Sequence, residues 1–409
     1  MKILWLKTEV LHPMDKGGKI RSYETLKHLK RSNQVTYLCF RRTEDSRESI
    51  EQSSAYADRL LTVPLHSTQR YSAAFYLDLS ANLASPLPYS IQKYRSDEMR
   101  RAISHTIRQD GYDLIISDFL TPCVNLAGRT RTPSILFQHN VESQIWERYY
   151  QNAPNPVRRA YFYSQFRKMA RFEGRCLRQF DAIIAVSEAD RQTMSSRFGT
   201  GNIHCVPTGV DTSYFAPAAG ARLNRSELVF TGSMDYMPNE DAIIYFVDSV
   251  LPKIASRVID VSLTVVGRNP GPRLLALSKS NPRVNVTGSV PDVRPYLERA
   301  ACFVVPIRIG GGTRLKIFEA MSMARPVVST TVGAEGLPVT NGDHLLIADD
   351  PQDFAERVIE VLKDAEHARA IGDRARLLVA REFGWDCAAG RFAKICEDIV
   401  SRLRASRAA

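Results

Sequence analysis

Residues 303–321 read FVVPIRIGGGTRLKIFEAM. An apolar run ends at Pro306, the glycines Gly310, Gly311 and Gly312 turn the chain, and a helix is predicted from near Thr313. Glycine admits positive φ and lets backbone N–H groups come close to a ligand. A helix N-terminus adds unpaired N–H donors and the positive end of the helix dipole. The combination suits a diphosphate. Lys316 and Glu319 are three apart and share a helix face. That face carries a cation near the phosphate end and, one turn on, a carboxylate able to accept two hydrogen bonds from ribose hydroxyls. In isolation a plain strand-to-helix turn with solvated charges would look the same, since such turns are common.

Outward from this stretch, short runs rich in Val, Ile and Leu recur. The first half has Ile3–Leu6, Val35–Phe40, Leu60–Val63, Leu114–Ser117, Ile135–Gln138 and Ala182–Val186. The second has Leu228–Thr231, Leu263–Val266, Val284–Val286, Phe303–Pro306, Val327–Ser329 and Leu345–Ile347. Runs of this kind read as strands buried on both faces. With amphipathic segments between them, they predict α/β architecture with parallel sheets. The pattern occurs twice, on either side of the turn-prone stretch 216–221. The expected organisation is therefore a Rossmann-like domain over 1–215, a second over 216–384, and a terminal helix over 385–409 that can belong to either. Open parallel sheets bind ligands beyond the carboxyl ends of their strands. Two doubly wound domains facing across a cleft would set such ends opposite each other.

The 409 residues suit two domains, and 44% hydrophobic with 24% charged is ordinary globular composition. A net charge of +11 favours anionic partners without choosing among nucleic acid, lipid and phosphorylated substrates. No helix-turn-helix or aromatic-basic pattern supports nucleic acid. The seven cysteines lack metal-ligand or CxxC spacing, which predicts buried, reduced thiols. The opening MKILWLKTEV is charged too early for a signal peptide, and no run approaches the roughly 18 apolar residues of a spanning helix. The expected location is cytoplasmic, with a peripheral position on the inner face of the cell membrane as an option.

Further stretches carry a resemblance. Ala324–Gly336 (ARPVVSTTVGAEG) follows the glycine turn and its helix; Val206–Asp211 reads VPTGVD; Val186–Glu188 reads VSE; Phe230–Ser233 reads FTGS; Gly288–Val293 reads GSVPDV; and Gly17-Gly18 follows the first strand. Over nearly its whole length the chain resembles the family 4 glycosyltransferases, which have the GT-B fold. Trp5-Leu6-Lys7 and Gly17–Arg21 are similar to a branch associated with bacterial exopolysaccharide and exosortase systems. The resemblance implies a retaining enzyme that moves a hexose-type sugar from a UDP- or GDP-sugar to a glycan or lipid-linked acceptor, without a metal or other cofactor.

The same resemblance assigns residues. Glu319 holds the donor ribose, and Gly17, Gly18, Val290, Gly310, Gly311, Gly312 and Thr313 line the donor site. Gly311 stands where the family has a glutamate, which leaves the sugar grip altered. The loop Met234–Asn239 lacks the family's cations, so Lys316, Arg314 and Arg268 are the candidates for the diphosphate. His139, ending the run Ile135–Gln138, matches the histidine of the donor-sugar pocket. His139 and Glu319 are thus the expected catalytic pair, with Asp118 and Glu142 as acceptor contacts. No D-x-D occurs, so phosphate neutralisation by dipole and basic side chains is expected in place of a bridged divalent cation.

Residues 157–180 (VRRAYFYSQFRKMARFEGRCLRQF) pair a near-helical apolar stripe with seven basic residues. They read as a helix packed on its own sheet with a solvated basic face, or as a helix on an anionic membrane. Rival readings on the same fold are a sugar-nucleotide epimerase and a non-catalytic donor-binding protein. A dinucleotide oxidoreductase would need a GxGxxG after the first strand, and none is present.

Overall fold

The computed structural model describes the chain apart from residues 15, 66–71, 219, 221–222, 310–313 and 409, and apart from the side chains of 406–408. The chain divides into two compact units. The first is Met1–Pro207 with Ala388–Ala409, and the second is Thr208–Cys387. The first boundary thus lies at Pro207/Thr208, eight residues before the one expected after residue 215. The small-residue stretch 216–221 lies inside the second unit, ahead of its first strand.

Among the described residues, the first unit holds β1 (Lys2–Leu6), β2 (Gln34–Arg41), β3 (Arg59–Pro64), β4 (Leu114–Asp118), β5 (Ser134–Gln138), β6 (Ala182–Ala185) and β7 (Ile203–Cys205). All pair in parallel in the order β3-β2-β1-β4-β5-β6-β7. Its longer helices are α1 (Gly17–Leu29), α2 (Ala73–Asn82), α3 (Asp97–Asp110), α4 (Glu142–Gln151), α5 (Pro156–Leu177) and α6 (Glu188–Phe198). Strand β7 was not anticipated. It is a three-residue edge strand with His204 at its centre, so it has no apolar run to give it away.

The second unit holds β8 (Asn224–Thr231), β9 (Ser262–Val266), β10 (Val284–Gly288), β11 (Ala300–Val305), β12 (Val327–Ser329) and β13 (Leu346–Ile347). These are again parallel, in the order β10-β9-β8-β11-β12-β13. Its longer helices are α7 (Met237–Tyr245), α8 (Pro272–Ser280), α9 (Leu315–Ser322), α10 (Pro351–Lys363) and α11 (Ala365–Glu382). A last helix, α12 (Trp385–Ala408), begins in the second unit and continues in the first. There Phe392 packs between Trp5 and Phe137, with ring centroids 5.9 and 4.9 Å away.

Central strands such as β4, β5 and β11 are buried at every residue, as a sheet covered on both faces requires. In each sheet the order reverses once, between β1 and β4 and between β8 and β11. A crevice opens at such a switch point beyond the carboxyl ends of the strands. The seven cysteines are all unpaired, five of them buried.

Candidate functional site

At the switch point of the first sheet, β1 runs into Lys7 and β4 ends in Asp118. Both side chains are buried. Asp118 Oδ2 accepts from Trp5 Nε1 at 2.9 Å, Lys7 Nζ at 2.9 Å and Ser22 Oγ at 2.5 Å. Its Oδ1 lies 2.7 Å from His139 Nε2. On the far side of the imidazole, Nδ1 is 2.9 Å from Arg21 Nη1. A guanidinium can only donate, so Nδ1 accepts and the proton of the neutral ring sits on Nε2, facing Asp118. Burial pushes His139 down to about 3 and outweighs the pull of Asp118. Burial would raise Asp118, but Lys7, His139 and Ser22 hold it below the usual carboxylate range. Burial also lowers Lys7, and it lowers Arg21 to about 10.

Phe119 covers this cluster. Its φ of 73° is strained for a bulky residue. Its ring stacks on His139 at 3.8 Å and lies 4.4 Å from Lys7 Nζ. A Cβ at Gly18 would come within 2.7 Å of Phe119 Cζ, so the glycine makes room for this ring.

Several assignments change here. Asp118, expected at the acceptor, is fully buried with its oxygens turned to Trp5, Lys7, Ser22 and His139. His139 is 2% exposed, and both ring nitrogens face internal partners. Gly17 opens α1, and Gly18 is filled over by Phe119 rather than left open. Glu142, at the start of α4, is half-buried and pushed up to about 7 by burial and the charge of Glu173. Beyond the ends of β1 and β2 lies a polar cavity of about 320 Å³, lined by Glu9, Lys16, Lys19, Arg42, Asp45 and Ser49 among others.

The second sheet's switch point has its own cluster. Here β8 ends at Thr231-Gly232 beside the Gly267 turn of β9. A Cβ at Gly267 would fall 1.6 Å from Gly232 O, so only glycine allows these turns to touch. In the first turn of α7, Asn239 Nδ2 donates to Ser233 O at 2.9 Å. Asn239 Oδ1 accepts from Lys316 Nζ, on α9, at 3.0 Å. The ammonium lies 3.9 Å from the Phe230 ring centroid, close against Gly232. Burial, with Arg314 next, lowers Lys316 well below the ordinary lysine value, against the pull of Glu319. Glu319, one turn on, is pushed up to about 7 by burial, against the pull of Lys316.

Lys316 and Glu319 therefore lie one turn apart on α9, with Arg314 at its N-cap position. Arg268 Nε donates to Ser233 Oγ at 2.8 Å, on the same edge. Val290 packs against the apolar core. The expected donor residues Gly310, Gly311, Gly312 and Thr313 lie outside the described residues. Among the described residues, no group of His, Cys, Asp and Glu could hold a metal ion.

Sequence reading passed over Lys7, Arg21, Ser22 and Phe119 as site residues, and over Asn239. A usable signal existed for one of them, Lys7, through its likeness to Asp118. Lys7 and Asp118 each end an otherwise apolar strand with a charge, and the two charges are opposite.

Two all-parallel sheets in these orders, each with a polar cluster at its switch point, define a protein of the GT-B class. Residues 16–214 match the model of Glycosyltransferase Family 4, and residues 225–364 match that of Glycosyl transferases group 1. The chain belongs to the family 4 glycosyltransferases.

Its relatives include an uncharacterized 44.6 kDa protein in the cps region of Klebsiella pneumoniae, 27% identical over 37% of this chain and 41% of that protein. Another is the GDP-mannose-dependent alpha-(1-6)-phosphatidylinositol monomannoside mannosyltransferase of Mycobacterium tuberculosis, 27% identical over 52% of this chain and 60% of that enzyme. The chain thus matches less than two thirds of the length of either. Among solved structures, sucrose-phosphate synthase from Thermosynechococcus elongatus superposes with a TM-score of 0.74 at 18% identity, over 98% of this chain and 100% of that one. Anabaena Alr3699/HepE in complex with UDP-glucose gives 0.69 at 13% identity, over 97% and 100%.

Proposed function

We propose that the chain is a retaining glycosyltransferase that moves a hexose from a UDP- or GDP-sugar to a glycan or lipid-linked acceptor in polysaccharide synthesis, without a metal ion. The observation that carries this reading is Lys316, held by Asn239 against Gly232 at the switch point, with Glu319 one turn along the same helix. The ammonium and Arg314 meet the diphosphate, and Glu319 takes the ribose hydroxyls. A nucleotide of this kind accompanies related proteins, UDP-glucose in Alr3699/HepE and GDP-mannose in the mannosyltransferase.

In the reaction, the bond from the anomeric carbon to the diphosphate breaks and a bond to the acceptor oxygen forms on the same face. The acceptor's proton passes to the leaving phosphate, so no protein base is required. The polar cavity beside Glu9, Lys19 and Arg42 is the acceptor candidate that replaces Asp118, because its mixed charges can pair with the hydroxyls of a glycan. His139 acts by holding Arg21 and the strand ends in place.

Titration calorimetry with UDP and GDP tests the donor site. One of the two binds the native chain, and Glu319→Ala and Lys316→Ala each weaken it about tenfold or more, the loss expected when a buried charge-assisted hydrogen bond goes. Equal affinity in both variants would overturn the assignment. Transfer measured in EDTA persists; strict dependence on added Mg²⁺ would overturn the metal-free scheme.

A further inference from the structure

The basic stretch over α5 does not carry its apolar stripe to the surface. Met169, Phe172, Cys176 and Leu177 are buried in the first unit's core, while Arg158, Arg159, Arg167, Arg171, Arg175 and Arg178 are exposed. A basic helix alone attracts anions but inserts nothing. The missing apolar surface lies next to it. Helix α2 reads AAFYLDLSAN, and Asn82 is its one buried residue. Tyr76 is 54% exposed, Leu77 71%, and Leu83, just past the helix, 59%. Val157 and Tyr163 of α5 are exposed as well. Among the described residues of the first unit, Met14 is the one other large apolar side chain in this state.

The two helices are tied together. Lys168 Nζ donates to Asn82 O at 2.7 Å and to Leu83 O at 3.2 Å, and Gln165 Nε2 donates to Asn82 Oδ1 at 3.1 Å. An exposed apolar helix is thereby pinned beside α5, whose outer side carries the exposed Arg167, Arg171, Arg175 and Arg178. We infer that α2 and the outer side of α5 form a docking surface for an anionic lipid bilayer. Tyr76, Leu77 and Leu83 enter the headgroup boundary, and the α5 arginines meet lipid phosphates. Charge complementarity selects this occupant, since buried apolar area and attraction to anionic lipid add in such binding. The inference does not depend on the donor site in the second unit.

The test is co-sedimentation of the full chain with phosphatidylcholine vesicles, with and without phosphatidylglycerol. Binding is expected only with phosphatidylglycerol and should weaken as salt rises. Leu77→Asp/Leu83→Asp should reduce it about tenfold or more, given the apolar surface withdrawn and the charge added. Arg171→Glu/Arg178→Glu should reduce it by a similar factor. Because all four positions are exposed, melting temperature and the shift produced by UDP or GDP stay at native values in both variants. Leu77→Gln/Leu83→Gln repeats the test without added charge. No binding to phosphatidylglycerol vesicles would overturn the inference, as would binding that the α2 variants leave unchanged. Sedimentation showing a dimer that Leu77→Asp/Leu83→Asp converts to monomer would also overturn it, by making a second copy the occupant.

Discussion

At the residue scale, two half-buried titratable groups one turn apart set the expected behaviour of the proposed donor site. Glu319 is pushed up to about 7, so it is protonated below that pH and ionised above it. Ribose hydroxyls donate to the ionised form, so nucleotide binding should strengthen as pH rises through 7. Lys316 must be charged to meet a diphosphate, and burial has lowered its pKa, so binding should weaken again as pH rises past that lowered value. Calorimetry across pH should therefore show a maximum. In Glu319→Gln the rising limb should vanish while the falling limb remains. On the falling limb, binding should take up a proton, seen as a dependence of the heat on buffer ionisation enthalpy. A flat profile in the native chain would show that neither group contacts the ligand. The first unit behaves differently at this scale: Lys7 donates to Asp118 at 2.9 Å, and burial pushes His139 down to about 3, away from neutral pH.

At the element scale, a single buried carboxylate links two helices. Glu173, on the inner side of α5, accepts from Glu142 N and Ser143 N at the start of α4, each at 2.9 Å, and from Gln138 Nε2 at 2.9 Å. Val141, at the cap position of α4, makes no side-chain cap, so Glu173 supplies one from another helix. Glu173→Ala should destabilise the first unit by roughly 2–4 kcal/mol, since it orphans buried donors at a helix N-terminus. Glu173→Gln, which keeps an acceptor, should cost less, and urea unfolding of both variants checks the order.

Elements were also where the sequence was most legible. Runs such as Ile3–Leu6 and Phe303–Pro306 announce strands because a doubly covered sheet demands unbroken apolar residues. The strand-turn-helix around Pro306 and Lys316 was legible because its chemistry is local. The boundary at Pro207 was not, because a crossing between units needs no special composition, whereas an alanine-rich stretch of sequence before β8 looks like a linker. The Lys7–Asp118 pair was hidden for another reason: its members are 111 residues apart, and only the order of the strands brings them together.

At the scale of the whole molecule, the first unit is assembled from two separated pieces of chain. Phe392 is 1% exposed among Trp5 and Phe137, and Arg404 pairs with Asp113. A chain cut after Cys387 would leave this aromatic pocket open. Removal of a fully buried phenylalanine alone costs roughly 3–5 kcal/mol, and here the rest of the helix goes with it. Calorimetry of the truncated chain should show the transition of the first unit lost or moved far down in temperature. The second unit, continuous over Thr208–Cys387, should keep its own transition. Loss of both transitions together would mean that the two units do not fold separately.

The same arrangement sets an order of events during synthesis. Domains usually fold in the order in which they leave the ribosome, the N-terminal one first. Here the sheet made first waits for residues 388–409, which are translated only after the whole of Thr208–Cys387. The second unit can be finished while the half made before it still has Trp5 and Phe137 uncovered. For that interval the nascent chain presents an aromatic surface that its own later residues will cover. A chaperone that grips apolar segments would find its substrate at the beginning of this chain rather than at the end.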